Sequence, residues 1–281
     1  MHRSGARGDL AAGVDPHSAV ETQMDRPVCL SEMTWPEAKA RLPKVKVAIL
    51  PVGSAEQHGP HLTFETDIAI AAELARRLAL QQFPAALVAP PLPVGMSNHH
   101  MRFPGTLTWR HETFRAAVAD TISSLRAHGV PRFLILNGHG GNRAALSILA
   151  SQLRYEHDVV VACCTWFELV RDVCRKFIPG RRVHADEIEA AMGLYLAPRI
   201  VRQKQLAAGK AHADPYPYTD PGSGGGIEVP YRWDELTPNG AYGDARRATV
   251  AMGQELTEAF LKRAGEFLSA FMGQKPRGAE K

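Results

Sequence analysis

Short apolar runs alternate along the chain with longer segments whose apolar positions recur every three or four residues. Residues 45–51 form a continuous run rich in Val and Ile, the pattern of a buried strand. Asp67 then opens residues 68–80, where apolar side chains fall at helical spacing and Arg76 and Arg77 lie off that face. The same reading predicts a short helix over 35–42 and a strand over 85–89, followed by a Pro-rich loop to Pro104. Helix 112–128, strand 132–136, helix 143–155, strand 159–163 and helix 167–176 follow. Beyond Pro179 the chain enters a helix near His184 that ends about Ala197. Residues 211–246, rich in Gly, Pro and Tyr, read as one long loop, a lid or a subunit contact, and a helix over 250–271 closes the pattern.

Strands alternating with helices predict an α/β fold, with a largely parallel sheet covered by helices on both faces. Such sheets bind ligands beyond the carboxyl ends of their strands. The polar, Gly-rich segments obey that rule. Gly53-Ser54-Ala55-Glu56-Gln57-His58-Gly59 follows the first strand, Gly95-Met96-Ser97-Asn98-His99-His100 the second, and Asn137-Gly138-His139-Gly140-Gly141-Asn142 the third. Three clusters of chemistry therefore converge on one sheet edge.

Composition narrows the reading further. Residues 1–28 lack periodicity and read as a disordered tail, with 273–281 a second one, so that a single domain over 29–272 carries the fold. Lys and Arg exceed Asp and Glu by 33 − 29 = 4, spread along the chain, which is no nucleic-acid footprint. No run of 18 apolar residues occurs and residues 1–27 lack the apolar core of a signal peptide, so a cytoplasmic protein with no membrane or nucleic-acid partner is expected. Cys29, Cys163, Cys164 and Cys174 show no C-x-x-C spacing and read as small buried hydrophobes.

The densest candidate chemistry is Glu56-x-His58 followed by Asp67. Two residues apart on extended chain, Glu56 and His58 point the same way. Both can reach one metal pair, with Asp67 as a bridging carboxylate and His139 as a further imidazole. Carboxylate and imidazole without thiolate suit Zn²⁺, Mn²⁺ or Fe²⁺. Taken singly, each residue has a plainer role: a histidine satisfied within the core, or an aspartate capping a helix. Their shared position at one sheet edge favours the metal. Rival chemistries lack their residues. The nucleophile elbow G-x-S-x-G is absent, the glycines around His139 do not complete G-x-G-x-x-G, and H-E-x-x-H does not occur. Asn98, His99 and His100 can contact substrate from the second loop, and the glycines beside His139 allow the turn that aims it.

Four segments in order resemble the creatininase (creatinine amidohydrolase) family: residues 51–62 with Asp67, Phe103-Pro104-Gly105-Thr106, residues 137–142, and His184-Ala185-Asp186-Glu187-Ile188-Glu189. The resemblance implies a three-layer α/β/α domain, two divalent metals per subunit (zinc, manganese or iron) and a homo-oligomer, usually a hexamer. It places Glu56, His58, Asp67 and His139 at the metal-ligand positions, with Asp67 bridging. The family's last motif commonly reads His-Ala-Gly-Glu-x-Glu-Thr; here Asp186 replaces the Gly and Ala190 the Thr. Glu187 and Glu189 lie about 200° apart around a helix and cannot both face one site unless the helix starts between them. Glu189 matches the more persistent position and is expected as the remaining metal ligand, leaving His184 and Glu187 as candidates for proton transfer. The expected reaction is attack by a water held between the metals on the C–N bond of a small linear or cyclic amide, with a side chain protonating the leaving nitrogen. A formamide deformylase, a peptidase and a non-catalytic metal-stabilised scaffold are the alternatives.

Members that open creatinine carry Tyr-Glu directly after the loop histidine, whereas Gly140 and Gly141 stand here. Glycine offers neither a ligand oxygen nor a stacking face. The expectation is poor activity on creatinine and a roomier pocket beside His139, with Gly140 at the substrate, that favours a bulkier amide or formamide; Trp166, Phe167 and Tyr216 are the residues that could restore an aromatic wall.

Overall fold

Val47 and Ile49 of the first strand, β1 (Val47–Val52), enter one apolar cluster, while Ala48, Leu50 and Val52 enter another. That split follows from the two-residue period of side chains along a strand. A strand buried on both faces needs helices above and below it. The computed structural model describes residues 26–178, 184–212, 216–217, 219, 227 and 229–274, and within them it has both layers. In chain order the elements are α1 (Trp35–Arg41), β1, α2 (Thr66–Gln81), β2 (Ala86–Val88), α3 (His111–Ala127), β3 (Arg132–Asn137), α4 (Arg143–His157), β4 (Val160–Thr165), α5 (Trp166–Leu169), α6 (Arg171–Phe177), α7 (Glu187–Leu196), α8 (Trp233–Leu236) and α9 (Val250–Gly273).

The four strands pair in parallel throughout, in the order β2-β1-β3-β4. Leu74 and Leu78 of α2, Ile188 and Met192 of α7, and Leu256 and Phe260 of α9 cover one face with Leu134 and Leu136 of β3. Phe114, Val118 and Ile122 of α3 and Leu146, Leu149 and Leu153 of α4 cover the other, against Phe133 and Ile135. This is the three-layer α/β/α architecture. Each such side chain contributes roughly 1.5–3 kcal/mol by leaving water. The chain places β2 on one side of β1 and then returns to place β3 on the other. The order reverses between β1 and β3, so their carboxyl ends splay open into a crevice.

Three local readings change. The helix expected over 167–176 is two pieces, α5 and α6, interrupted at Val170 with φ −118° and ψ 25°. Trp166, Val170, Val173 and Cys174 stay buried across the break, so the apolar spacing is continuous and gives no sign of it. Within the long loop over 211–246, residues 233–236 form α8. Of the four cysteines expected to be buried, Cys174 is; Cys29 and Cys164 are half-buried and Cys163 is exposed, because β4 is an edge strand. Val28, read from sequence as the last residue of the tail, is buried, and its carbonyl accepts from Val88 N at 2.8 Å. Residues 1–25 and 275–281 lie outside the described residues. Among the described residues, no helix is long and apolar enough to cross a membrane.

Candidate metal centre

Beyond the last residue of β1, the segment 53–59 turns back over the sheet edge and buries Glu56 and His58, each 1% exposed. Asp67 lies in the first turn of α2, where the helix dipole favours a carboxylate. It does not cap that helix, whose N-cap is Glu65, and its side chain faces the cluster instead. Two glycines let α2 approach so closely. A Cβ on Gly138, just past β3, would stand 2.3 Å from the Asp67 carbonyl oxygen, and one on Gly53 would stand 2.6 Å from Ile68 N. Backbone can meet backbone there only without side chains. His139 follows Gly138. Glu189 comes from the first turn of α7, capped by Asp186, whose Oδ1 accepts from Ile188 N at 3.0 Å and Glu189 N at 3.1 Å. The residue that replaces the family's glycine thus anchors the helix bearing Glu189.

Asp67 stands between the two imidazoles. Its Oδ1 lies 3.1 Å from His58 Nε2 and its Oδ2 lies 3.4 Å from His139 Nδ1. Glu56 Oε1 is 3.1 Å from the same His139 Nδ1, and Glu189 Oε2 is 3.8 Å from His58 Nε2. The far nitrogen of each ring is fixed by a backbone carbonyl, which can only accept. His58 Nδ1 donates to Glu56 O at 3.1 Å and His139 Nε2 donates to Met96 O at 3.1 Å. In the neutral rings, the nitrogens facing the carboxylates therefore carry lone pairs. Lone pair against carboxylate oxygen is repulsive unless a proton or a metal cation lies between them. Metal-binding histidines are held in this way, one nitrogen on the ion and the other on a fixed acceptor. Asp67 Oδ2, buried with no hydrogen-bond partner, points the same way. The donor set of oxygen and nitrogen suits a divalent cation.

Protonation follows the same geometry. Burial pushes the His58 imidazole down, but Asp67 and Glu189 outweigh it and lift it to about 10. For His139, Glu56 and Asp67 likewise outweigh burial and lift it to about 9. Burial raises the carboxyls of Asp67 and Glu189, whereas at Glu56 the imidazoles of His100, His139 and His184 overcome burial and hold it well below the usual range. Unfolded imidazole titrates near pH ~6.5. Without a cation, the folded state therefore keeps protons on His58 and His139 that the unfolded chain releases. That stabilisation is complete below about pH 6.5 and is lost as pH rises toward 9 and 10. The melting temperature of chelator-treated protein should accordingly fall between pH ~6.5 and ~9, a window below the titration of the buried Cys174 thiol, itself pushed up to about 12. A flat profile over that window contradicts this account.

Around the cluster stand groups of a second kind. His184 Nε2 lies 2.9 Å from Gln57 O and 3.0 Å from Gln57 Nε2, and its Nδ1 turns toward Glu56 Oε1 at 3.7 Å. Burial and the neighbouring His58 and His100 hold it well below the usual imidazole range, so it is neutral. His100, pushed down to about 3 mainly by burial, accepts at Nδ1 from Gln57 Nε2 at 2.9 Å. The Ser97 hydroxyl donates to Glu56 Oε2. Trp233 of α8 lies over this group, its ring centroid 4.8 Å from those of both His100 and His184, with Nε1 donating to Gly240 O at 3.0 Å.

Of the residues expected at the site, Glu56, His58, Asp67, His139, His184 and Glu189 come together. His99 stacks on His139 with ring centroids 5.5 Å apart. Glu187 does not join them: its Oε2 accepts from Asp244 N at 2.7 Å and its Oε1 lies 3.5 Å from Arg247, so the 200° separation turns it toward that loop. Asn98 is exposed. Gly140 borders open space, with Phe167 Cζ 4.0 Å from a built Cβ. The room expected at Gly141 is filled, since a Cβ there would meet His139 Nε2 at 2.4 Å, Met96 O at 2.6 Å and His99 Cε1 at 2.9 Å. Nor do Trp166, which is fully buried, or Tyr216, which is exposed and stacked with Tyr231, wall the site. Trp233 does so, and it carried no sequence signal inside a long aperiodic loop. Gln57 and Ser97 were also missed, although both lie within the motif segments.

The family model described as creatinine amidohydrolase matches residues 31–268. The chain is 33% identical over 233 residues to the mycofactocin precursor peptide peptidase of Mycobacterium tuberculosis (strain CDC 1551 / Oshkosh), covering 79% of this chain and 84% of that protein. It is 29% identical over 197 residues to the creatinine amidohydrolase of Pseudomonas putida, covering 63% of this chain and 75% of that one. A solved manganese form of creatininase aligns with a TM-score of 0.72 at 25% identity, over 89% of this chain and 100% of the other.

Proposed function

Because the chain belongs to the creatininase family of hydrolases, we propose that it is a metal-dependent amidohydrolase holding two divalent cations, zinc or manganese, that share Asp67. Glu56 and His139 serve one cation, and His58 and Glu189 serve the other. The observation that carries this reading is the Asp67 carboxylate itself, one oxygen facing the lone pair of each imidazole. Bound there, divalent cations supply Lewis acidity, which acidifies water and polarises a carbonyl.

The chain's own residues do the rest. His184 takes a proton at Nδ1 and delivers it to the departing nitrogen, as its neutral state and its position beside Glu56 allow. Gln57 fixes it through Nε2, so the ring cannot turn the wrong nitrogen to the substrate. Trp233 gives a flat apolar wall against which a planar amide packs, and it excludes water from that side. Gly140 leaves the opposite rim open. The substrate is the C–N bond of a small linear or cyclic amide. A second reading, a peptidase, is supported by the higher identity and wider coverage of the peptidase relative than of the creatinine amidohydrolase. The homo-oligomer finds support in the outer face of α4, which exposes Ile148 and Tyr155.

Metal analysis joined to a panel of cyclic amides, linear amides, formamides and short peptides tests the proposal. Two cations per chain are expected, with hydrolysis of at least one class abolished by chelation and restored by Zn²⁺ or Mn²⁺. Bound metal with turnover of none of them would leave a scaffold in place of an enzyme.

A further inference from the structure

Gly141 follows His139 by two residues and can carry no side chain, because the His99 ring and the Met96 carbonyl occupy the space a Cβ would need. The chain therefore offers no ligand from its own loop beside His139. What stands in that space is a second imidazole. We propose that His99 is a further protein ligand of the cation held by Glu56 and His139, an inference that rests on the metal reading above.

Three observations carry it. One ligand atom from each of Glu56, His99 and His139 lies within 4.8 Å of the others, close enough for one ion to touch all three. The His99 ring lies nearly parallel to that of His139, at 15° with centroids 5.5 Å apart, so the two imidazoles sit side by side at the cluster. His99 also differs from its neighbours in what its nitrogens do. His100 Nδ1 accepts from Gln57, which leaves its Nε2 protonated in the neutral ring, and its lone pair is spent. His184 has its Nε2 against Gln57 O and Gln57 Nε2, and its Nδ1 faces Glu56. His99 makes no hydrogen bond to any described residue, so one nitrogen keeps a lone pair for an ion. Half-buried on the Asn98–His100 turn, it sits at the edge of the cluster against the His139 ring. Glu56, His99 and His139 then give that ion three ligands besides the shared Asp67, and a five-coordinate ion keeps a place for water.

The test uses the full-length protein loaded with Co²⁺, in which each bound imidazole with a ring N–H gives a strongly shifted exchangeable proton resonance. His99→Gln should show one such resonance fewer than the parent, with the others retained. In the zinc-loaded protein, competition with a chelator should show one of two cations held more weakly, by more than the roughly 10–100-fold that loss of an outer-shell partner costs. His99→Glu, a carboxylate of similar reach, should recover most of that affinity without recovering the resonance. Thermal melts of each variant check that the fold is intact. An unchanged set of resonances and unchanged retention of both cations in His99→Gln overturns the assignment while leaving the metal centre standing. If the parent takes up no divalent cation, the proposed function falls, and this inference with it.

Discussion

Asp67→Ala is expected to lose both cations together and to lower kcat/KM by on the order of 10³-fold or more, because a Lewis acid contributes several kcal/mol and each ~1.4 kcal/mol is tenfold in rate. The expectation follows from where the carboxylate stands. Glu56 and His139 lie on the Oδ2 side, and His58 and Glu189 on the Oδ1 side. In the proposed arrangement, removing any of those four strips one locus, whereas Asp67 belongs to both. The variant also loses the carboxylate that lifts His58 and His139, so some loss of stability in chelator is expected beside the loss of metal. Metal analysis by mass spectrometry, paired with melts in chelator, separates the two outcomes. Glu187→Ala is the control, since that side chain faces Asp244 and Arg247 and should leave metal content unchanged. An Asp67→Ala protein that keeps two cations per chain removes the bridging role.

The layout of this centre was legible in sequence because a parallel sheet puts every loop after a strand on one edge. Glu56 and His58 were paired by their spacing of two on extended chain, and His139 and Asp67 joined them through the shared sheet edge. Helix geometry set Glu187 and Glu189 about 200° apart, and it was the resemblance to the family's last motif that favoured Glu189. The residues that escaped share a different property, since their roles depend on packing between distant segments. Trp233 reaches the site from an aperiodic loop. Gly141 looked like missing bulk, and its meaning came only from the Met96 carbonyl and the His99 ring that fill the space. The break between α5 and α6 left the apolar spacing intact and so left no trace.

His184→Ala should lower kcat by about 10²–10⁴-fold, the usual worth of a positioned acid or base, while both cations stay bound. The proposed role follows from how the ring is held, with its Nε2 against Gln57 and its Nδ1 the atom that faces the cluster. Its pKa lies well below the ordinary imidazole value, first through burial and then through His58 and His100. Cations beside it push in the same direction. The parent should therefore hold its activity as pH falls through about 6.5, where an unperturbed histidine would already be protonated and unable to accept. Two further readouts separate a proton carrier from a prop. The ring sits among those of His58, His100 and Trp233, with centroids 4.5, 4.6 and 4.8 Å away, so its deletion leaves a slot of its own shape. Imidazole added to His184→Ala should restore part of kcat in a saturable way. The loss should also shrink for an ester analogue of the best amide found, because an alkoxide with a low pKa departs without a proton and an amine does not. Equal losses on amide and ester, with no rescue by imidazole, would mean that His184 only holds its neighbours in place.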